Sequence, residues 1–247
     1  MADPKLKVLI LGAGVTANSS DGDPFPAFMA EVKGAPLIQR IVESCAGLQP
    51  DWIGIACQSK EIDNYQIWEL PRLLHPKASF LATNSITHGA ACTALLASEH
   101  IDNEDELLIL GVNEYIDADF TTIIQRFRDR RLDGGVLTFP SIHPRYSYVK
   151  TSADGLVQQA AEKRPISNTA AATFFWYRRG SDFVMAAKDV IRKNDHVNDL
   201  YYISPTINQM LLRQKRIGIE ALENGQYHPF KTTRQIENFE TVQEFRK

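Results

Sequence analysis

The chain has 247 residues, a formal net charge of −3 and 44% hydrophobic side chains. That is enough apolar material for a sizeable core, and there is no basic excess to attract nucleic acid. No apolar run approaches the length of a membrane span, so we expect a cytoplasmic chain without a membrane segment.

The first apolar run, Lys7–Leu11, predicts a strand buried on both faces, and Gly12-Ala13-Gly14 follows it. It is too short for a signal peptide and no cleavage site follows. Glycines after a buried strand let backbone N–H groups approach phosphate oxygens. A plain strand-to-loop turn has the same appearance. A polar segment then runs to Pro26, and Pro36-Leu37-Ile38 opens a helix with Ile38, Ile41, Val42 and Cys45 on its apolar face. Ile53–Cys57 and Ser79–Ala82 read as strands. Between them Trp68, Leu70, Leu73 and Leu74 are core candidates. Thr87-His88-Gly89-Ala90-Ala91 begins another helix with small residues, against which a nucleobase could lie; close helix–sheet packing would use the same residues.

The pattern centres on Glu106–Phe120. Leu107–Leu110 is a short continuous apolar run, the mark of a strand buried on both faces. It stops at Gly111 and empties into Asn113, Glu114, Asp117 and Asp119, after which Phe120, Ile123, Ile124 and Phe127 set a helix. In an open α/β sheet ligands bind beyond the carboxyl ends of the strands, so this strand end predicts a site. Asp119 or Asp117 is expected to cap the helix.

Downstream, Gly135–Phe139, Ser147–Lys150, Val157–Ala160 and Ala171–Tyr177 predict strands, with a tight turn at Ala153-Asp154-Gly155. Gly180-Ser181-Asp182 should cap a helix with Phe183, Ala186, Ala187, Val190 and Ile191 inward. Asn194–Leu200 is a polar loop and Ile203–Leu212 a helix. Ile217–Leu222 closes as a strand and Thr232–Phe245 as a polar helix. Phe174 and Trp176 read as core, the charges of Arg126–Arg131 and Arg178-Arg179 as solvated faces. Three cysteines, Cys45, Cys57 and Cys92, lack metal spacing and read as reduced core residues of a cytoplasmic protein. No repeat or linker interrupts the pattern, so one domain over residues 1–247 is expected.

Several of these stretches, in this order, carry a resemblance. They are Leu-Gly-Ala-Gly at 11–14, Glu31-Val32-Lys33-Gly34-Ala35-Pro36-Leu37-Ile38, the Gly89-Ala90-Ala91 helix start, Gly-Val-Asn-Glu at 111–114, Glu162-Lys163-Arg164-Pro165 and the Gly180 helix start. From about Lys7 to about Phe239 the chain resembles the nucleotidyltransferases that activate sugar phosphates or small phosphorylated alcohols. It is also similar to their GT-A-fold, family-2-like glycosyltransferase relatives of bacterial capsule clusters.

The resemblance implies an α/β GT-A-like domain, with a mixed, mostly parallel sheet flanked by helices. It implies a nucleoside triphosphate or nucleotide sugar at Gly12, Ala13, Gly14, His88, Gly89 and Asn113. A sugar phosphate or small phosphorylated acceptor would lie at Arg145, Glu162, Lys163 and Asn168. Glu114 and Lys163 would be the catalytic pair. Mg²⁺ or Mn²⁺ would sit on Glu114 and on Asp199, which lies with Asn198, Tyr201 and Tyr202 where the family often places an acidic ligand.

The sequence departs from that pattern. Val15-Thr16-Ala17 holds no arginine, Pro26-Ala27-Phe28 no lysine, and Asn113 stands in place of a metal-binding aspartate. Thr173 replaces a glycine. Each missing charge commonly removes on the order of several kcal/mol of transition-state stabilisation. Lys33, Arg145 or Lys163 could restore positive charge. The resemblance and these departures from it imply three functions: nucleotidyl transfer in surface-polysaccharide precursor synthesis, glycosyl transfer using Asp117-Ala118-Asp119, or binding without chemistry.

Overall fold

Strands buried on both faces build two cores, one on each side of a central sheet. A computed structural model describes residues 5–14, 26–32 and 34–230. Strand β1 (Leu6–Leu11) is followed by a short hairpin, β2 (Glu31–Val32) with β3 (Ala35–Pro36), and by helix α1 (Leu37–Ser44). Then come β4 (Trp52–Gln58), α2 (Ser59–Tyr65), α3 (Leu70–Leu74), β5 (Ala78–Thr83), α4 (Ala90–Leu95) and α5 (Ser98–Ile101). The middle of the chain gives β6 (Glu106–Gly111), β7 (Glu114–Ile116), α6 (Phe120–Asp129), β8 (Gly134–Pro140), β9 (Ser147–Thr151) and β10 (Val157–Glu162). Last come β11 (Thr169–Tyr177), α7 (Gly180–Arg192), α8 (Ser204–Leu212), β12 (Ile217–Ala221) and β13 (Tyr227–Pro229).

The sheet runs β5-β4-β1-β6 in parallel, the order expected of a doubly wound α/β domain. Beyond β6 it turns antiparallel at β11. One face packs Val8, Ile10, Leu108, Leu110, Phe174 and Trp176 against α1 and α6. The other packs Leu9, Leu107, Ile109, Phe175 and Tyr177 against α4, α7 and α8. The fold is therefore the mixed α/β sheet with helices on both faces that the sequence implied.

Strand β11 shapes the site. One edge pairs with β8. The other edge pairs first with β9 at Ala170 and Ala171, then with β6 from Phe174 onward. Between those two partners, at Thr173, the ladder is interrupted and the sheet splits. The split opens beside the carboxyl ends of β1 and β6.

Several local expectations are corrected. Trp68 is 51% and Leu73 80% exposed. The five-residue helix α3 turns Pro71 inward, with Leu70 and Leu74 half-buried, so Leu73 falls on the outer face. Trp68 Nε1 donates to Asp63 at the surface (3.0 Å). Helix α7 begins at Gly180 itself, with Arg179 preceding it and no side-chain cap. Asp182 instead accepts from Arg179 and from Lys215 (both 3.0 Å). Gly180 is required because a Cβ there would meet the Ile101 carbonyl oxygen at 2.0 Å. The arginines of α6 are not all solvated: Arg128 holds the buried Glu106. Asp119 caps α6, accepting from the N–H groups of Thr121 (3.0 Å) and Thr122 (3.3 Å). The expected helix at 232–245 lies outside the described residues.

Candidate functional site

The split beside β11 is the mouth of a cavity of about 780 Å³. Its described lining includes Gly12, Ala13, Gly14, Gly89, Asn113, Glu114, Arg145, Glu162 and Lys163. Nine sequence-predicted positions thus converge from five separate stretches. Tyr146, Ser147, Thr173, Tyr202, Ser204 and Phe230 complete the polar and aromatic parts of the wall.

Each wall has a local cause. Gly12 donates its N–H to Ala56 O (2.8 Å), and a Cβ on it would meet that oxygen at 2.9 Å. Its first role is to let β1 and β4 close behind the cavity. Gly89 sits at φ +107, a conformation side chains rarely adopt, and a Cβ there would lie 2.4 Å from Tyr201 O. The space left by its missing side chain is filled by the Tyr201 backbone, the close packing that this glycine equally suggested, while Gly89 itself remains in the cavity lining. Thr87 and Thr93 share a hydroxyl–hydroxyl bond of 2.5 Å above that turn.

The carboxylates of the cavity are already engaged. Glu114 is 4% exposed. One of its oxygens accepts from the Thr173 N–H left unpaired by the split, and the other accepts from Tyr227 Oη (3.0 Å). Burial, and then the Glu114 charge, raise the Tyr227 phenol well above its ordinary value, so it stays a hydroxyl donor. One oxygen of Glu162 accepts from both Ser147 Oγ (2.6 Å) and Ser204 Oγ (2.7 Å). The other makes no such bond among the described residues.

The cations are the opposite case. Lys163 donates to Tyr202 Oη (2.6 Å), and Arg145 packs its guanidinium on His143 (Nε to Nδ1, 3.1 Å). Among the described residues neither has a carboxylate partner. Asn113 is exposed at the strand end; its carbonyl accepts from Phe230 N–H (2.7 Å), and its side-chain amide faces no protein partner among the described residues. Two half-buried or exposed positive charges and a free amide are what an anionic ligand would meet.

Three predicted positions fall outside the lining. His88 is exposed and takes part through its carbonyl, which accepts from Tyr201 N–H (2.8 Å). Asn168 precedes β11, its side chain accepting from Thr169 Oγ1 (3.4 Å). Asp199 is 96% exposed with His196 Nδ1 3.9 Å away; the left-handed backbone at Asn198 and Asp199 turns its carboxylate outward. Asp199 therefore lies off the cavity that holds Glu114, the other residue expected to carry the ion. Asp117-Ala118-Asp119 also lies off the cavity lining, with Asp119 engaged as a cap. Among the described residues no group of three His, Cys, Asp or Glu side chains could hold a metal ion. Val15-Thr16-Ala17 and Lys33 lie outside the described residues.

The sequence profile of the nucleotidyl transferase family matches residues 23–218, most of the chain. The chain belongs to this family. Three solved structures share its fold. A nucleoside-diphosphate-sugar pyrophosphorylase from Vibrio cholerae superposes with a TM-score of 0.78 at 18% identity, covering 94% of this chain and 98% of that one. A candidate glucose-1-phosphate thymidylyltransferase from Bacillus anthracis, in complex with a sucrose, gives 0.77 at 15%, covering 96% and 94%. A UDP-glucose pyrophosphorylase complexed with UDP-glucose gives 0.78 at 14%, covering 98% and 100%. At these identities the likeness establishes the fold. No curated protein sequence matches the chain. None of the described helices is long and apolar enough to cross a membrane.

Proposed function

We propose that this nucleotidyl transferase chain transfers a nucleotidyl group to a sugar phosphate or small phosphorylated molecule, as a step towards a surface polysaccharide. The observation that carries the proposal is the sorting of charge in the cavity: its carboxylates are bonded to protein donors, and among the described residues Lys163 and Arg145 have no carboxylate partner. The activities for which the three structural neighbours are named, on nucleotide sugars and sugar phosphates, support the same reading. In the reaction an acceptor phosphate oxygen forms a bond to the α-phosphorus of a nucleoside triphosphate as the bond to pyrophosphate breaks. Such transfer rests on positioning and on cancelling phosphate charge. Backbone N–H groups at Ala13 and Gly14 face the triphosphate, behind which Gly12 closes β1 onto β4. Lys163 and Arg145 meet phosphate oxygens, and Glu162 offers its free oxygen to a sugar hydroxyl. Glu114 is a positioning residue: it holds Thr173 and Tyr227 in the floor.

The divalent ion implied by the resemblance does not fit the described donors. Both oxygens of Glu114 are engaged, Glu162 offers a single oxygen unbonded among the described residues, Asp199 lies off the cavity lining, and an amide such as Asn113 lacks the charge of a strong Mg²⁺ ligand. No step of the proposal passes through an ion.

The test is pyrophosphate release from ATP, CTP, GTP and UTP against a panel of sugar 1-phosphates and phosphorylated alcohols, with Mg²⁺ or Mn²⁺ in the buffer. Release with one nucleotide and one acceptor class is the expected result; none with any pair overturns it. The engaged state of Glu114 favours one second reading, a nucleotide-sugar-binding relative without turnover. Saturable nucleotide-sugar binding without pyrophosphate release would establish it.

A further inference from the structure

We infer that Tyr202 is a positioning residue that sets the Lys163 ammonium for a phosphate-bearing ligand. The inference rests on the reading of the cavity as a phosphate site. Lys163 is half-buried in the left-handed region at φ +51, where a lysine is disfavoured, and its N–H is fixed to Tyr146 O (3.0 Å). A long flexible stem with a half-desolvated, carboxylate-free charge has no reason of its own to keep one rotamer. Tyr202 supplies it. Nζ donates to the Tyr202 hydroxyl at 2.6 Å and lies 4.8 Å from the ring centroid, so both the oxygen and the π face hold the cation. Because the hydroxyl accepts from the ammonium, its own proton is left to donate elsewhere. Neither contact neutralises the positive charge.

The delivery of Tyr202 is itself built. Tyr201 N–H donates to His88 O (2.8 Å) and Ala91 N–H donates to Tyr201 O (3.0 Å). These two bonds clip the 194–203 segment onto the turn at Gly89. The clip closes only because Gly89 has no Cβ. Two remote stretches, the turn before α4 and the segment before α8, therefore meet to fix one side chain, and that side chain fixes the cation.

The experiment is a double-mutant cycle on pyrophosphate affinity, by calorimetry on the full chain, with melting temperature measured in parallel. Lys163→Met should weaken binding about ten-fold or more, Tyr202→Leu about ten-fold, and Tyr202→Phe, which keeps the ring, about three-fold. In the Lys163→Met background Tyr202→Leu should add nothing, because its effect runs through the lysine. Gly89→Ala should reproduce Tyr202→Leu; if that variant fails to fold, the Tyr202 pair decides. Equal losses from Tyr202→Leu in both backgrounds, or a loss that tracks melting temperature instead, overturn the positioning role while leaving the phosphate site intact. Failure of the unmodified chain to bind pyrophosphate overturns the phosphate site, and this inference with it.

Discussion

The two ends of the central sheet treat charge in opposite ways. At the amino ends of β1, β4, β5 and β6, acids and bases are matched. Asp51 pairs with Lys7 (2.7 Å), Lys77 (3.3 Å) and Lys5 (3.5 Å), and Lys7 reaches Asp105 (3.6 Å). Glu106, 3% exposed, takes a two-pronged bond from Arg128 (2.9 and 2.6 Å) and another from Trp176 Nε1 (3.3 Å). At the carboxyl ends the acids are held by hydroxyls and an amide, and the bases have no acid partner among the described residues. The contrast separates the charges that hold the sheet together from those available to a guest. One end can be altered at a cost in stability, the other at a cost in binding.

The sharpest way to break this contrast is Arg128→Met. It strands the buried Glu106 carboxylate, and should destabilise the chain by about 3 kcal/mol without changing pyrophosphate affinity. Urea unfolding checks the first part and calorimetry the second; a loss below about 1 kcal/mol would show that the amino end is not what holds the sheet. Glu114→Ala should come next. It leaves the Thr173 N–H and the Tyr227 hydroxyl unpaired, a loss of about 2 kcal/mol, whereas Glu114→Gln retains an acceptor and most of that stability. If Glu114→Gln leaves stability intact but abolishes binding, the carboxylate faces the ligand and the division of roles fails.

The reverse pattern is expected for Lys163→Met: a ten-fold affinity loss, about 1.4 kcal/mol, with unfolding stability changed by no more than about 0.5 kcal/mol. The smallest effect should come from Asp51→Asn, about 1 kcal/mol at neutral pH for a cluster that is partly solvated. Here pH gives the sign. The Lys7 hydrogen bond, followed by those of the neighbouring lysines, holds the Asp51 carboxyl well below its ordinary value. Its stabilising contribution is therefore complete above about pH 4 and fades as pH falls through the lower folded value. Unfolding curves for the two chains should converge on acidification; a gap that persists or widens would point to packing as the cause.

What could be read in the residues beforehand follows from the range of the forces involved. Leu107–Leu110 and Lys7–Leu11 declare buried strands because burial on both faces demands an unbroken apolar run. Asp119 declares a cap because its partners are two and three residues away. The convergence of Gly14, Asn113 and Lys163 was legible because strand ends in this architecture share one rim. Glu114 was singled out for its place at the strand end, but its partners lie 59 and 113 residues away, and nothing local distinguishes a carboxylate that holds a floor from one that holds an ion. Gly89 announced itself as a special glycine, and only the Tyr201 backbone shows what occupies the space. Arg128 looked solvated because its buried partner belongs to another element. Tyr202 stood beside the polar pair at 198–199, and its role appears only once the segment is docked.

The pairing of β13 with β7 has a consequence for how the protein is made. Tyr227 and Phe230 fasten Glu114 and Asn113 from more than a hundred residues downstream. A ribosome will have delivered the sheet's parallel core well before that fastening arrives. Nascent intermediates should therefore assemble the scaffold early and acquire a finished floor late, so that competence to hold a guest lags behind compactness.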